Sequence, residues 1–173
     1  MGAFIVVSGA NSSGKSRHAE NLIRTTTGPR TYIATMEPQT EDNRTRIEKH
    51  RNQRADMGFT TLELPRHVAD APVTPDGVVL LEDVSNLLGN TIFTGGGTET
   101  EVLEEIRTLR QRCRLLVAVT IADLREEEYE GETADYIHRL RLLNEVLEQE
   151  ADCTIRMEQG RALIEKGTLD GIL

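Results

Sequence analysis

The chain lacks several features that would assign it to other protein classes. In 173 residues no apolar run approaches the roughly 20 needed to cross a bilayer, and the N-terminus has neither the charged segment nor the cleavage site of a secretion signal. Met1-Gly2 is no myristoylation site, because Val6 stands where Ser or Thr is required. Basic residues are in deficit, 20 against 29 acids. The net charge of −9 argues against a general nucleic-acid role, which needs excess Lys and Arg to neutralise phosphate. Only two cysteines occur, Cys113 and Cys153, far apart in apolar-looking elements, so two buried thiols are expected rather than a disulfide. There is no G-x-S-x-G elbow, no C-x-x-C pair and no second His or Cys at zinc-ligand spacing from His18, His67 or His138. These absences predict a cytoplasmic protein without a membrane span, and the lack of repeats or linkers predicts one domain over residues 1–173.

Strand-like and helical segments alternate along the chain. Short β-branched runs at 3–7, 31–35, 60–64, 78–82 and 115–120 read as strands. Helical patterns cover 17–23, 41–56, 85–93, 100–112 and 134–149, separated by turn clusters such as Thr25 to Pro29. The acidic stretch 123–132 reads as a solvated loop. Two short strands around Gln159-Gly160, 153–157 and 161–165, read as a hairpin. This order predicts an α/β fold of P-loop NTPase type: a mostly parallel central sheet flanked by helices, with a C-terminal β-hairpin.

The most informative segment is Gly9-Ala10-Asn11-Ser12-Ser13-Gly14-Lys15-Ser16, a complete G-x-x-x-x-G-K-[ST] match. A buried strand precedes it and a helix follows, the context that gives the pattern its meaning. Gly9 and Gly14 let the backbone wrap a phosphate, and N–H groups at the helix start point toward it. Lys15 is expected to reach the β- and γ-phosphates, and the Ser16 hydroxyl to ligate Mg²⁺. Such loops usually pair with an acid at the end of another parallel strand. Glu82, after four aliphatic residues, fits that place, with Asp83 as the second candidate. Ser16 and Glu82 are thus the expected metal ligands, and the chain is expected to bind a nucleoside triphosphate.

A second constellation runs from Arg44 to Arg54. On a helix, Arg46, His50 and Arg54 fall at i, i+4 and i+8 and share a face. By composition this is a solvated basic face. The alternative is a phosphate-handling device, in which two guanidiniums keep a neutral, nucleophilic His50 between them.

With these segments in place, most of the chain resembles the bifunctional cobinamide kinase/cobinamide-phosphate guanylyltransferase family of corrinoid biosynthesis. The likeness is carried by the phosphate loop continuing through Arg17-His18-Ala19-Glu20, by Tyr32-Ile33-Ala34-Thr35-Met36, and by Arg46-Ile47-Glu48-Lys49-His50-Arg51 with Arg54. Leu62-Glu63-Leu64-Pro65, Leu80-Leu81-Glu82 with Ser85-Asn86-Leu87 and Asn90, and Leu143-Asn144 with Ala151-Asp152 follow in the family's order. The resemblance implies phosphorylation of adenosylcobinamide, then transfer of GMP from GTP to adenosylcobinamide phosphate through a histidine–GMP intermediate. It implies Mg²⁺, ATP and GTP as substrates, His50 as nucleophile and Lys15 as the second catalytic residue. It also implies nucleotide contacts at Gly9, Ala10, Asn11, Ser12, Ser13, Gly14, Lys15, Ser16 and Arg17, and at Thr35, Arg46, Arg51, Arg54, Glu63 and Glu82. The implied assembly is a homo-oligomer, a trimer with sites shared between subunits.

The sequence departs from the family's pattern after the strong late strand. Many members carry Asn-Glu-Val there, and this chain has Ile121-Ala122-Asp123. That departure keeps two other readings open: a single-activity P-loop small-molecule kinase, and a catalytically weakened nucleotide-binding relative.

Overall fold

The computed structural model describes residues 1–37 and 40–173. Seven strands form one sheet: β1 Ala3–Gly9, β2 Arg30–Ala34, β3 Phe59–Glu63, β4 Val78–Glu82, β5 Leu115–Ile121, β6 Cys153–Glu158 and β7 Arg161–Lys166. Five α-helices accompany them: α1 Lys15–Arg24, α2 Glu41–Arg54, α3 Val84–Gly89, α4 Glu99–Arg112 and α5 Gly131–Glu150. The strand order is β3-β2-β4-β5-β1-β6-β7. Every neighbouring pair is parallel except β6 and β7, which form the expected hairpin.

The continuous apolar character of the central strands follows from helices on both faces of the sheet. Alternate residues feed two cores. Phe4, Val6, Leu81, Leu116 and Ala118 pack with Leu87, Ile106 and Leu143 from α3, α4 and α5. Ile5, Val7, Leu80, Val117 and Val119 pack with Ala19, Leu22 and Ile23 of α1. Removing a side chain from the centre of this stack leaves a cavity the rigid strands cannot close. Leu81→Ala, fully buried in the wild type, should cost about 2–5 kcal/mol. The check is a lower urea midpoint with an unchanged slope.

Parallel pairing aligns the carboxyl ends of four strands. Gly9 sits beside Ile121, and Glu82 beside Val119 and Ala34. In open parallel sheets ligands bind outside these ends. The helix α2 adds nothing apolar to either core, and Arg54 is its one buried residue.

Most boundaries differ from sequence expectation by one to three residues. Thus α1 starts at Lys15 rather than Arg17, because Gly14 in the left-handed region (φ 90°) turns the loop straight into the helix. The helix expected over 85–93 is α3 followed by a π-helical segment, Asn90–Thr94. The acidic loop contains a short 3₁₀ turn, Glu126–Glu128, and α5 begins inside it at Gly131. Both cysteines are buried and free, as expected. Among the described residues no helix is long and apolar enough to cross a membrane.

Candidate active site

The phosphate loop is braced from two sides. Ala122 N–H donates to Gly9 O (2.9 Å), and Gly160 N–H in the C-terminal hairpin turn donates to Ser13 O (3.0 Å). A side chain on Gly9 would collide with Ser13 Oγ and press on the Met157 carbonyl, so the loop's entry tolerates only glycine. Ala10, Asn11, Ser12 and Gly14 form an exposed rim, and Ser13 is buried beneath it. Lys15 is largely buried and folds back on the loop, its Nζ donating to Ala10 O at 3.1 Å. Burial lowers its pKa, while Asp83 and Glu82 act to raise it. Arg17 is exposed on the first turn of α1.

The two residues expected to hold a metal meet: Ser16 Oγ donates to Glu82 Oε1. Tyr32 OH donates to the other oxygen, Oε2. Burial and then the Glu82 charge push the phenol's pKa well up, which keeps it protonated and a donor. Glu82 is therefore fixed at the strand end with lone pairs to spare. Asp83 has another task. Its Oδ1 accepts from Asn86 N–H (2.7 Å) as the N-cap of α3, and burial raises its pKa to about 6. Thr35, expected at the nucleotide, is fully buried behind the site. Its hydroxyl both donates to Asp83 O and accepts from Asp83 N–H. Its role here is to lock β2 to the end of β4.

The shared face of α2 turns progressively inward. Arg46 is exposed, His50 half-buried and Arg54 buried. Arg54 stacks its guanidinium 3.5 Å above the Tyr32 ring rather than presenting it to solvent. Arg46, His50 and Arg54 thus share a face of α2, with Arg54 held on Tyr32 at its inner end. The helix brings His50 to two carboxylates, with one ligand atom each of Glu20, His50 and Glu82 all within 4.8 Å of one another. Arg51 pairs with Glu63 across to β3. These two residues, with Arg54, Ala55, Phe59 and Thr61, line a cleft of about 420 Å³.

Glu20 was visible in the sequence only as part of a helix motif, with no role attached. It is fully buried, and Gln53 Nε2 of α2 donates to its Oε2 (2.9 Å). Burial, followed by the nearby Glu82 charge, raises its pKa to about 7 from 4.5. A carboxyl whose folded pKa is raised binds more protons in the folded state, so stability falls as pH rises through the window from about 4.5 to 7. Glu20→Gln should remove that penalty. The variant is expected to gain about 3 kcal/mol over wild type at pH 8, and little at pH 4. Paired urea titrations at the two pH values check this.

At the end of β5, Ile121 and Ala122 contribute backbone groups only. Ile121 N–H donates to Ser85 Oγ (3.0 Å), and Asn144 Nδ2 donates to Ile121 O (3.1 Å). Asp123, at φ 67°, pairs with Arg156 of β6. Asn90 holds Thr35 O and Pro65 O through its amide (2.7 and 2.9 Å). These polar residues clamp the strand ends that carry the site.

A glycine loop leading into α1, a lysine and serine at its helix start, and an acid on a neighbouring strand together define a P-loop protein of the nucleotide-binding α/β class. Solved structures agree at the level of fold. A Pyrococcus horikoshii OT3 protein superposes over 98% of this chain and 89% of its own (TM-score 0.56, 9% identity). A type III secretion ATPase from pathogenic bacteria superposes over 90% of this chain and 51% of its own (TM-score 0.51, 8% identity). Residues 5–164 match the CobU family, described as cobinamide kinase / cobinamide phosphate guanyltransferase. The chain belongs to that family. Curated relatives named bifunctional adenosylcobalamin biosynthesis protein CobU come from Escherichia coli K12 (40% identical over 97 residues) and Salmonella typhimurium LT2 (37% over 98 residues). The matched segment covers 54% of this chain, and the chain spans about half the length of these relatives, 52% of each.

Proposed function

We propose that the protein is a bifunctional enzyme of cobalamin biosynthesis. It phosphorylates adenosylcobinamide at the hydroxyl of its aminopropanol arm, and then transfers GMP from GTP to adenosylcobinamide phosphate. The observation that carries this reading is the position of His50, a half-buried imidazole held next to the Ser16–Glu82 pair of the phosphate loop. An ordinary basic surface helix has no reason to place its histidine there.

In the phosphoryl transfer, the loop N–H groups and Lys15 hold the triphosphate chain and take up the charge that develops on the departing diphosphate. The convergence of Ser16 Oγ with a Glu82 oxygen fits a small, hard cation. Bound there, Mg²⁺ would neutralise charge between the β- and γ-phosphates. In the guanylyl transfer, His50 attacks the α-phosphorus. A P–N bond forms, the bond to the bridging oxygen breaks, and pyrophosphate leaves. The phosphate oxygen of the corrinoid then attacks the same phosphorus and returns the histidine free. Of the two ring nitrogens, Nδ1 is buried and has no partner among the described residues, which leaves Nε2 to make the attack. The Arg51–Glu63 cleft next to α2 is a suitable resting place for the guanosine portion.

The test is to incubate the protein with Mg²⁺ and GTP labelled at the α-phosphate, denature it, and assay for an acid-labile, base-stable protein-bound label. That label is the expected result. Its absence with GTP binding intact would favour a single-activity kinase, the reading that the missing Asn-Glu pair at Ile121-Ala122 supports. Use of both ATP and GTP and a cytoplasmic location belong to the same proposal. So does a homo-oligomer, a trimer by family resemblance. The wholly exposed edge strand β7, with Leu163 and Ile164 open to solvent, supports assembly.

A further inference from the structure

Glu20, His50 and Glu82 come from three separate elements, α1, α2 and the end of β4, and converge on one point. No hydrogen bond joins His50 to either acid among the described residues, yet one ligand atom from each lies within 4.8 Å of the other two. Atoms bound to one metal at about 2.0–2.2 Å lie about 3 to 4 Å apart. The three atoms are thus near enough for one ion to draw them together. Two buried polar atoms in this group have no partner among the described residues, Glu20 Oε1 and His50 Nδ1. Glu20 is fully buried, so water does not satisfy that oxygen from outside. Unpaired buried acceptors are costly and call for an explanation. Two carboxylates side by side add repulsion that a cation would relieve.

We propose that Glu20, His50 and Glu82 form a binding site for a first-row transition-metal dication, occupied without nucleotide and distinct in its ligands from the Mg²⁺ position at Ser16 and Glu82. The donor chemistry sets the choice of ion. One imidazole and two carboxylates suit Mn²⁺, Co²⁺ or Zn²⁺, whereas Mg²⁺ prefers oxygen ligands and keeps several waters. Glu82 belongs to both sites, so the two ions compete. If the guanylyl-transfer reading holds, an ion on His50 also immobilises the nucleophile, and the tighter-binding metals inhibit that step.

Co²⁺ is the probe, because its visible ligand-field bands report an inner-sphere nitrogen ligand directly. The nucleotide-free protein is titrated with CoCl₂ and followed by absorbance and calorimetry. One saturable equivalent is expected in wild type and in Glu127→Gln, an exposed acid outside the cluster. His50→Ala and Glu20→Gln should each weaken binding by at least about tenfold. Absence of a saturable site overturns the proposal. So does equal affinity in His50→Ala, which would put the ion on Ser16 and Glu82 alone. His50→Ala decides by itself, since its side chain makes no hydrogen bond among the described residues that the fold would lose. Neither outcome depends on GMP labelling, so failure here leaves the proposed reaction standing.

Discussion

His50→Ala should yield no protein-bound GMP while still binding GTP. The substitution removes the proposed nucleophile and little else. Among the described residues His50 makes no hydrogen bond, and its buried Nδ1 is already unpartnered. Its loss should change stability by no more than about 0.5 kcal/mol, the range for surface positions without special contacts. The triphosphate chain would still be held by the loop N–H groups, Lys15 and Ser16, none of which His50 supports. Label should therefore fall to background, with GTP affinity close to wild type in equilibrium titration. Phosphorylation of the corrinoid should persist in the same variant, because γ-phosphoryl transfer uses no covalent histidine. That split between the two activities separates a bifunctional enzyme from a single-activity kinase. In the kinase, wild type would form no label and phosphorylation would not respond to His50.

How much of this site could be read from the sequence depended on how local each signal was. The phosphate loop is contiguous: a strand, a glycine turn and a helix start within about twenty residues carry its whole geometry, so Lys15 and Ser16 were legible at once. Glu82 was legible because four aliphatic residues before an acid mark a buried strand end in any α/β sheet. The face of α2 was legible as a periodicity, but not its surroundings. Spacing put Arg46, His50 and Arg54 on one face, but only the tertiary fold sets Arg54 on Tyr32 and the imidazole near Glu20 and Glu82. Glu20 was illegible for the same reason. It sits on the buried face of α1, one residue after Ala19, and nothing local distinguishes it from a solvated helix acid. A charged residue on an apolar helix stripe was the one available hint. Thr35 carried a further structural task that its motif did not reveal, a hydroxyl bonded to the Asp83 backbone. Boundaries slipped where polar chemistry set them: the left-handed Gly14 starts α1 early, and the Asp83 cap starts α3.

Lys15→Ala should be the most damaging single change to turnover, lowering both phosphoryl and guanylyl transfer by about 10²–10³-fold, the cost of removing one preorganised donor from developing charge. The surroundings of Lys15 support an effect at least that large. Without nucleotide its ammonium rests on Ala10 O, facing Glu82 and Asp83. Deleting it leaves those acids uncompensated where a polyanion must enter, so the variant loses an attraction and gains a repulsion. The direction of its pKa fits the role. Burial lowers it, and the two acids oppose that, so a charged lysine sits partly desolvated and ready to turn to phosphate. Stability should suffer less than activity, because among the described residues the side chain makes one hydrogen bond, to Ala10 O. The measurement is nucleotide affinity alongside both rates. A large loss in every readout, with thermal unfolding little changed, is expected. Normal affinity with slow turnover would instead restrict Lys15 to the transition state. Unchanged rates would remove the phosphate loop from the chemistry and with it the basis of the functional proposal.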